Sequence, residues 1–290
     1  MSKVWDAIII GGGAAGLFCA GVAGQLGKKI LVLDHAPVLG EKIRISGGGR
    51  CNFTNLYSAP ANFLSLNPHF AKSALARYSS AEFIKLVRSY RIGFHEKHQG
   101  QLFCDDSAKQ IIDMLFDECA KGQVTIRHPV AVESIVKNGD YWMVGTSAGA
   151  QQSKAVVMST GGLPVPAIGA TAYALDIAKQ FNIRVVDPRP ALVPLSFTSD
   201  TFGNLNDLSG LSVPVQIAAG LKGNRYGACH FYEDLLLTHK GLSGPAVLQA
   251  SSYWSEGESI RINWLGSEGV AGGAQSESLF VNEEHRLKLT

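Results

Sequence analysis

The sequence is poor in charge and in cysteine. Only 17% of its 290 residues are Asp, Glu, Lys or Arg, and 26 basic residues against 24 acidic ones leave a formal net charge of +2. So small an excess gives no whole-chain electrostatic case for nucleic acid or for an acidic membrane, and the expected partner is a small-molecule substrate. The five cysteines, Cys19, Cys51, Cys104, Cys119 and Cys229, are scattered, odd in number and never at CxxC spacing. They make no zinc pattern and no disulfide framework, so a reducing, cytoplasmic setting without a metal site is expected. Long apolar runs are scarce too. Ala7 to Gly24 carries no charge over 18 residues, but six of these are glycine and the flank Lys3, Trp5, Asp6 lacks a signal peptide's basic character. Membrane and signal readings are therefore set aside. None of these features fixes an oligomeric state.

Glycine is what the chain has in excess: 32 of 290 residues, about 11% against an ordinary 7%. Val4 to Ile10 is a β-branched apolar run that ends at Gly11-Gly12-Gly13, Ala14 to Leu26 has helical composition, and Lys29 to Asp34 reads as a second buried strand. In this strand, turn, helix and strand the GxGxxG spacing acquires a structural context. Gly11 permits the tight turn, Gly13 lets main chain approach a pyrophosphate, and Gly16 lets the helix pack on the strand. Asp34, 18 residues after Gly16, is placed to accept hydrogen bonds from ribose hydroxyls and to repel a 2′-phosphate. An ordinary glycine turn is the bland alternative, and an NAD-binding module the alternative on this fingerprint alone.

Further on, two helices are expected between Pro68 and Tyr90, the second opened by a capping box, Ser79-x-x-Glu82, and another helix after Ser107-x-x-Gln110 with Gly122 as its stop. Asn138-Gly139 marks a hairpin between Val130 to Lys137 and Tyr141 to Thr146. A strand over 155–159 runs into Thr160-Gly161-Gly162, and a helix is expected over 172–181. After about Pro190 strands and turns dominate. The length suggests two domains, with boundaries at 1–190 for the nucleotide-binding domain and 191–265 for a β-rich, substrate-side domain, followed by a loosely ordered tail over 266–290.

Ser46 to Asn55 (SGGGRCNFTN) is a second constellation. Three adjacent glycines expose successive N–H groups and let a flat ring lie on the main chain, with Arg50 as a counter-charge for an anion. A flexible surface loop is the competing reading. Cys51 lacks a CxxC partner and reads as a packing residue. His95 and His98 fit a polar turn better than a metal site. Near Thr238 and His239, Ser243 is a candidate cap for a helix with Pro245 in its first turn. No Ser/His/Asp order, carboxylate pair or P-loop is evident, and no catalytic residue is assigned.

The opening DAIIIGGGAAG, ISGGGRCNFTN, GQLFCDDSA at 100–108, STGG at 159–162 and LLLTHKGLSGPAVLQASSYW at 235–254 resemble, in this order, bacterial YhiN/BaiN-type FAD-dependent oxidoreductases, flavoproteins linked to aminoacetone oxidation and bile-acid enone reduction. The resemblance spans roughly residues 4 to 265. It implies an α/β fold: a Rossmann-type FAD-binding domain with a β-meander, plus a second β-rich domain. It also implies that Gly11, Gly13, Gly16 and Asp34 hold the ADP half of FAD, that Ser46, Gly47, Gly48, Gly49, Arg50 and Cys51 lie toward the flavin, that Val132 meets the adenine, and that Thr160, Gly161 and Gly162 pass the cofactor. Asn52, Thr54, Asn55, Thr238 and His239 are the substrate-side candidates. The expected activity is hydride transfer through flavin N5 to or from a small organic substrate, with NAD(P)H a candidate electron donor. Family members continue beyond the position of Leu265 with a glycine-rich stretch that contacts the flavin, and the 266–290 tail is unlike it. The chain is therefore expected either to lack the family's C-terminal part or to have its last part read in another frame, with activity impaired, and an inactive or nucleotide-binding-only remnant is the alternative.

Overall fold

The computed structural model describes residues 4–197, 207–220, 227–264, 278–281 and 287–289. The chain divides into two compact units, Met1–Asn62 with His69–Val186, and Phe63–Pro68 with Asp187–Thr290. The division thus falls at 186 rather than 190, and six earlier residues join the second unit.

The first unit runs β1 (Val4–Ile10), α1 (Ala14–Gln25), β2 (Ile30–Leu33), α2 (Glu41–Ile45), a glycine turn over 46–49, β3 (Asn52–Asn55), α3 (Lys72–Arg77), α4 (Ser80–Ser89), β4 (Phe94–Glu96) and β5 (Gln101–Cys104). It continues with α5 (Lys109–Lys121), β6 (Thr125–Arg127), β7 (Val132–Asn138), β8 (Tyr141–Thr146), β9 (Gln151–Met158) and α6 (Tyr173–Gln180). Six strands form one sheet in the order β6-β2-β1-β9-β8-β7. β1 is parallel to β2 and β9, β2 is parallel to β6, and β7-β8-β9 is an antiparallel meander. This is a Rossmann-type α/β domain with a β-meander.

The apolar end of β1, Ala7 to Ile10, follows from burial on both faces, while Asp6 nearer its start pairs with Lys154 at 2.8 Å. Ile9 packs with Leu17, Ala20, Val32 and Leu115 beneath α1 and α5. Ile8 and Ile10 join Leu31, Leu33, Ile135 and Val144 on the opposite face, which Tyr173, Ile177 and Phe181 of α6 and its end also cover. The uncharged stretch 7–24 is therefore a buried strand, a turn and a helix, and no described helix is long and apolar enough to cross a membrane. A second, antiparallel sheet, β3-β5-β4, carries the segment after the glycine turn.

The first capping box forms: Ser79 caps α4 and its N–H donates to Glu82 Oε2 at 2.8 Å. The second does not. α5 is capped by Ala108, and Ser107 Oγ instead accepts the Lys109 N–H at 3.1 Å, a local turn that competes with the box.

The second unit contains β10 (Leu195–Phe197), β11 (Ser212–Ala219), β12 (Cys229–Thr238), β13 (Gly241–Ser243), α7 (Pro245–Ser251), β14 (Ile260–Asn263), β15 (Ser278–Val281) and β16 (Leu287–Leu289). They form an antiparallel sheet in the order β15-β14-β11-β12-β13-β10-β16 over a core that includes Val215, Ile217, Leu235, Leu237, Val247 and Trp254. Two pieces of the 266–290 segment are thus strands that pair with β14 and β10, satisfying backbone edges that would otherwise stay open. The rest of that segment lies outside the described residues. Pro245 does open α7, but its cap is Gly244 at φ 88°, a left-handed conformation that serine would resist, and Ser243 ends β13.

Candidate cofactor-binding site

The site is built where β1 ends. Gly11 leaves the strand at φ 108°, and a Cβ there would lie 2.4 Å from the Ser159 carbonyl oxygen. A Cβ on Gly16 would lie 1.8 Å from the Gly11 carbonyl oxygen, so α1 seats on the turn only without one. Gly13 is the opposite case. It caps α1 with ordinary extended backbone, and nothing lies within 4 Å of where its Cβ would be. α1 has neither a side-chain cap nor an acid in its first turn, so its orphan N–H groups and the positive end of its dipole meet open space. This is the cradle an anionic pyrophosphate fits.

That space belongs to a cavity of about 520 Å³ whose lining includes Gly11, Gly13, Asp34, His35, Lys42, Thr160 and Gly161. A second cavity of about 310 Å³ includes Val130, Val132 and Tyr173 and shares Gly11, Asp34, His35, Thr160 and Gly169 with the first. Both volumes suit small-molecule sites, and both lie at the carboxyl ends of parallel strands, where open α/β sheets bind ligands. Two buried hydroxyls, Thr160 Oγ1 and Tyr173 OH, have no hydrogen-bond partner among the described residues, and both side chains line the smaller cavity. A buried polar group left unpaired is costly, so a ligand with polar edges fits there.

Asp34 does more than the sequence suggested. Its Oδ2 accepts the Gly12 N–H at 2.6 Å and its Oδ1 accepts the Ala36 N–H at 2.7 Å, while the side chain keeps 15% of its exposure. It ties the glycine turn to the end of β2, and it lines both cavities with lone pairs to spare. Lys42 was missed: its Nζ donates to the Gly162 carbonyl at 3.1 Å, which places an ammonium in the wall of the larger cavity. His35, also missed, lines both cavities, with Nδ1 3.7 Å from Asp34 Oδ1.

The expected residues gather unevenly. Gly11, Gly13, Asp34, Thr160 and Gly161 meet in the larger cavity, Val132 and Thr160 in the smaller, and Gly16 and Gly162 stand behind. Ser46 to Cys51 line neither. They form a braced turn rather than a flexible loop, with Gly47, Gly48 and Gly49 at φ 58°, 66° and 86°. Ser46 Oγ donates to the Ile43 carbonyl at 2.7 Å, Cys51 N–H to the Ser46 carbonyl at 3.0 Å, and Ala108 N–H to the Gly49 carbonyl at 2.7 Å. Gly48 has open space at its Cβ position, and the Arg50 side chain is exposed. Burial pushes the Cys51 thiol up, and its neighbour Cys104 is pushed up to about 12 by burial first and then by Cys51 and Asp105. Both are protonated packing residues.

Asn52, Thr54 and Asn55 lie on β3, where Asn55 is engaged by the Tyr57 N–H and the Gln99 carbonyl. Thr238 and His239 fall in the second unit at the β12–β13 turn, which the Thr238 hydroxyl closes by donating to the Gly241 carbonyl at 3.0 Å. His95 is on β4, hydrogen-bonded through Nδ1 to Asp105 at 2.7 Å.

Fold and glycine turn together define a Rossmann-type protein. Residues 5–283 match the HI0933-like protein Rossmann domain, and the chain belongs to that family, the one to which the motif resemblance pointed. It is 49% identical over 261 residues to the ribosomal RNA dihydrouridine synthase of Escherichia coli strain K12, covering 90% of this chain and 64% of that protein. It is 46% identical over 275 residues to the protein of the same name from Haemophilus influenzae, covering 93% and 67%. The 3-dehydro-bile acid delta(4,6)-reductase of Clostridium scindens is 24% identical over 253 residues, covering 86% and 60%. The chain thus spans about two thirds of the length of these relatives.

Proposed function

We propose that this protein is an FAD-dependent reductase of a C=C bond conjugated to a carbonyl, and that its substrate is a uridine within ribosomal RNA. The observation that carries the reading is the first unit's paired cavities at a helix N-terminus without a side-chain cap, with Asp34 in the wall of both and two orphaned hydroxyls in the smaller. FAD, when bound, supplies hydride transfer at N5, with NAD(P)H as the proposed donor. The names of the relatives supply the substrate class. Saturating uridine and saturating a 3-oxo steroid diene are both reductions of a double bond polarised by a neighbouring carbonyl.

The chain's own residues do the binding. The N–H groups of the first α1 turn and the Lys42 ammonium would hold the pyrophosphate, the free lone pairs of Asp34 would take ribose hydroxyls, and Thr160 and Tyr173 would donate to the adenosine half near Val132. Gly48 offers side-chain-free main chain to a flat ring, and Arg50 offers a cation beside it. The small organic substrate expected from the overall charge is the second reading, favoured by the bile-acid relative.

The test is to incubate the FAD-loaded protein and NADPH with ribosomal RNA transcribed without modification, and separately with a conjugated steroid enone. The proposal expects dihydrouridine among the digested nucleosides and no steroid turnover. The reverse result would move the substrate to the small-molecule class. Folded protein that takes up no FAD would overturn the reading altogether.

A further inference from the structure

Between Glu41 and Cys104, from α2 to β5, nine Lys and Arg face three Asp and Glu, a net +6 in a chain whose total is +2. The six residues of this stretch that join the second unit carry no charge, so the excess belongs to the first unit. The three acids are all engaged. Glu41 pairs with Arg44 at 2.8 Å, Glu82 closes the α4 capping box, and Glu96 Oε1 accepts the Gly100 N–H at 2.7 Å. The next acid along, Asp105, is held by His95.

Two of the nine cations, Arg50 just before β3 and Lys97 just after β4, adjoin the outward face of the β3-β5-β4 sheet. Asn52 and His95 flank Phe103 in register, and Phe103 is clamped between two elements. A Cβ on Gly47 would sit 2.7 Å from its ring, and Lys97 Nζ stands 5.3 Å from the ring centroid. At the far end of β3, one edge of the Tyr57 ring rests against Gly100, where a Cβ would be 2.6 Å from it, yet the residue is 70% exposed. An aromatic ring anchored at one edge and otherwise largely in water is a stacking platform for a base, and exposed Arg50 and Lys97 are contacts for phosphates. β3, about 13 Å long at 3.3 Å per residue, separates the platform from the glycine turn on the flavin side.

We infer that this face, from Arg50 through Lys97 to Tyr57, is the surface that holds a single-stranded segment of the RNA substrate, its phosphates on the cations and a base on Tyr57. The inference rests on the ribosomal RNA reading above. Charge complementarity selects RNA: an exposed aromatic beside the same small sheet as two cations without an acidic partner among the described residues suits a polyanion with π faces and suits an apolar steroid poorly.

The test is fluorescence anisotropy of a labelled single-stranded oligouridylate with the FAD-loaded protein across a salt series. Tyr57→Ala is expected to weaken binding about tenfold. Lys97→Gln is expected to weaken it several-fold and to lower the slope of log affinity against log salt by about one. Lys179→Gln, an exposed lysine of α6, serves as the control and leaves RNA affinity unchanged. FAD affinity stays at the wild-type level in all three, because none of these side chains lines the cavities. Wild-type affinity in both Tyr57→Ala and Lys97→Gln overturns the surface, as does a wild-type protein that does not bind the oligouridylate. If ribosomal RNA is nonetheless reduced, the surface alone is wrong. If only the steroid enone is reduced, the RNA reading falls with it.

Discussion

Asp34→Ala removes a carboxylate that does two jobs, and the structure says how large each loss is. Without ligand, its oxygens accept two main-chain N–H groups, Gly12 at 2.6 Å and Ala36 at 2.7 Å. Hydrogen bonds to a charged group are worth about 1.5–3 kcal/mol each. The freed N–H groups border an open cavity and regain water, so the low end applies and the loss is about 3 kcal/mol. At about 2–4 °C per kcal/mol for a unit of this size, the melting temperature of the FAD-free protein falls by about 6–12 °C. Asp34→Asn keeps one oxygen acceptor but turns an amide NH₂ toward the other N–H, and lands between the two. FAD affinity is expected to drop in both variants, more in Asp34→Ala, because the carboxylate proposed to accept from the ribose is gone. Calorimetric melts without FAD, followed by FAD titrations, separate the effects. An Asp34→Ala protein that melts within about one degree of wild type would refute the tie between the turn and β2.

Gly16→Ala puts a methyl 1.8 Å from the Gly11 carbonyl oxygen, backbone that has nowhere to go, so circular-dichroism melts should show a loss of several kcal/mol and FAD should no longer bind; a stable protein with normal affinity would contradict the close approach. Lys42→Met should leave the melt unchanged and weaken FAD binding about tenfold, with a shallower salt dependence, if its ammonium faces the pyrophosphate. The Cys104 thiol, raised from 9.0 to about 12, and Cys119, raised to about 11, stay protonated when folded. Both should resist iodoacetamide at about pH 8 until the protein is unfolded. Above about pH 9 these thiols ionise only in the unfolded chain, so denaturation midpoints should fall as pH rises toward 11–12; rapid native labelling or a flat profile would contradict their burial.

Where local chemistry decides the outcome, the sequence was readable. β1, α1 and β2 appeared at the expected positions because a parallel strand buried on both faces must be apolar along its buried length and the glycines tolerate contacts that no side chain could. The α4 capping box formed because Ser79 and Glu82 satisfy each other without help. Ser107 and Ser243 failed as caps because tertiary geometry had other uses for them, a local turn in one case and a strand end in the other. The SGGG stretch was ambiguous between a flexible loop and a rigid turn, and its bracing came from Ala108 and Cys104, distant in sequence. Lys42 and His35 carried no motif: only the convergence of α2, the β2 end and the 160–162 segment on one cavity marks them. The basic stretch from α2 to β5 was hidden by averaging over the whole chain, since the remaining residues carry a net charge of opposite sign.

Titration calorimetry of FAD into the wild-type protein and into Gly13→Val tests the central claim most directly. The open space at the Gly13 Cβ position means that the folded, ligand-free protein tolerates the larger side chain, whereas a pyrophosphate cannot share that space with it. The expected result is saturable one-to-one binding by the wild type and none by Gly13→Val, with superimposable far-ultraviolet circular dichroism. Equal FAD affinity in the two proteins, or a folded wild type that takes up no FAD, would contradict it.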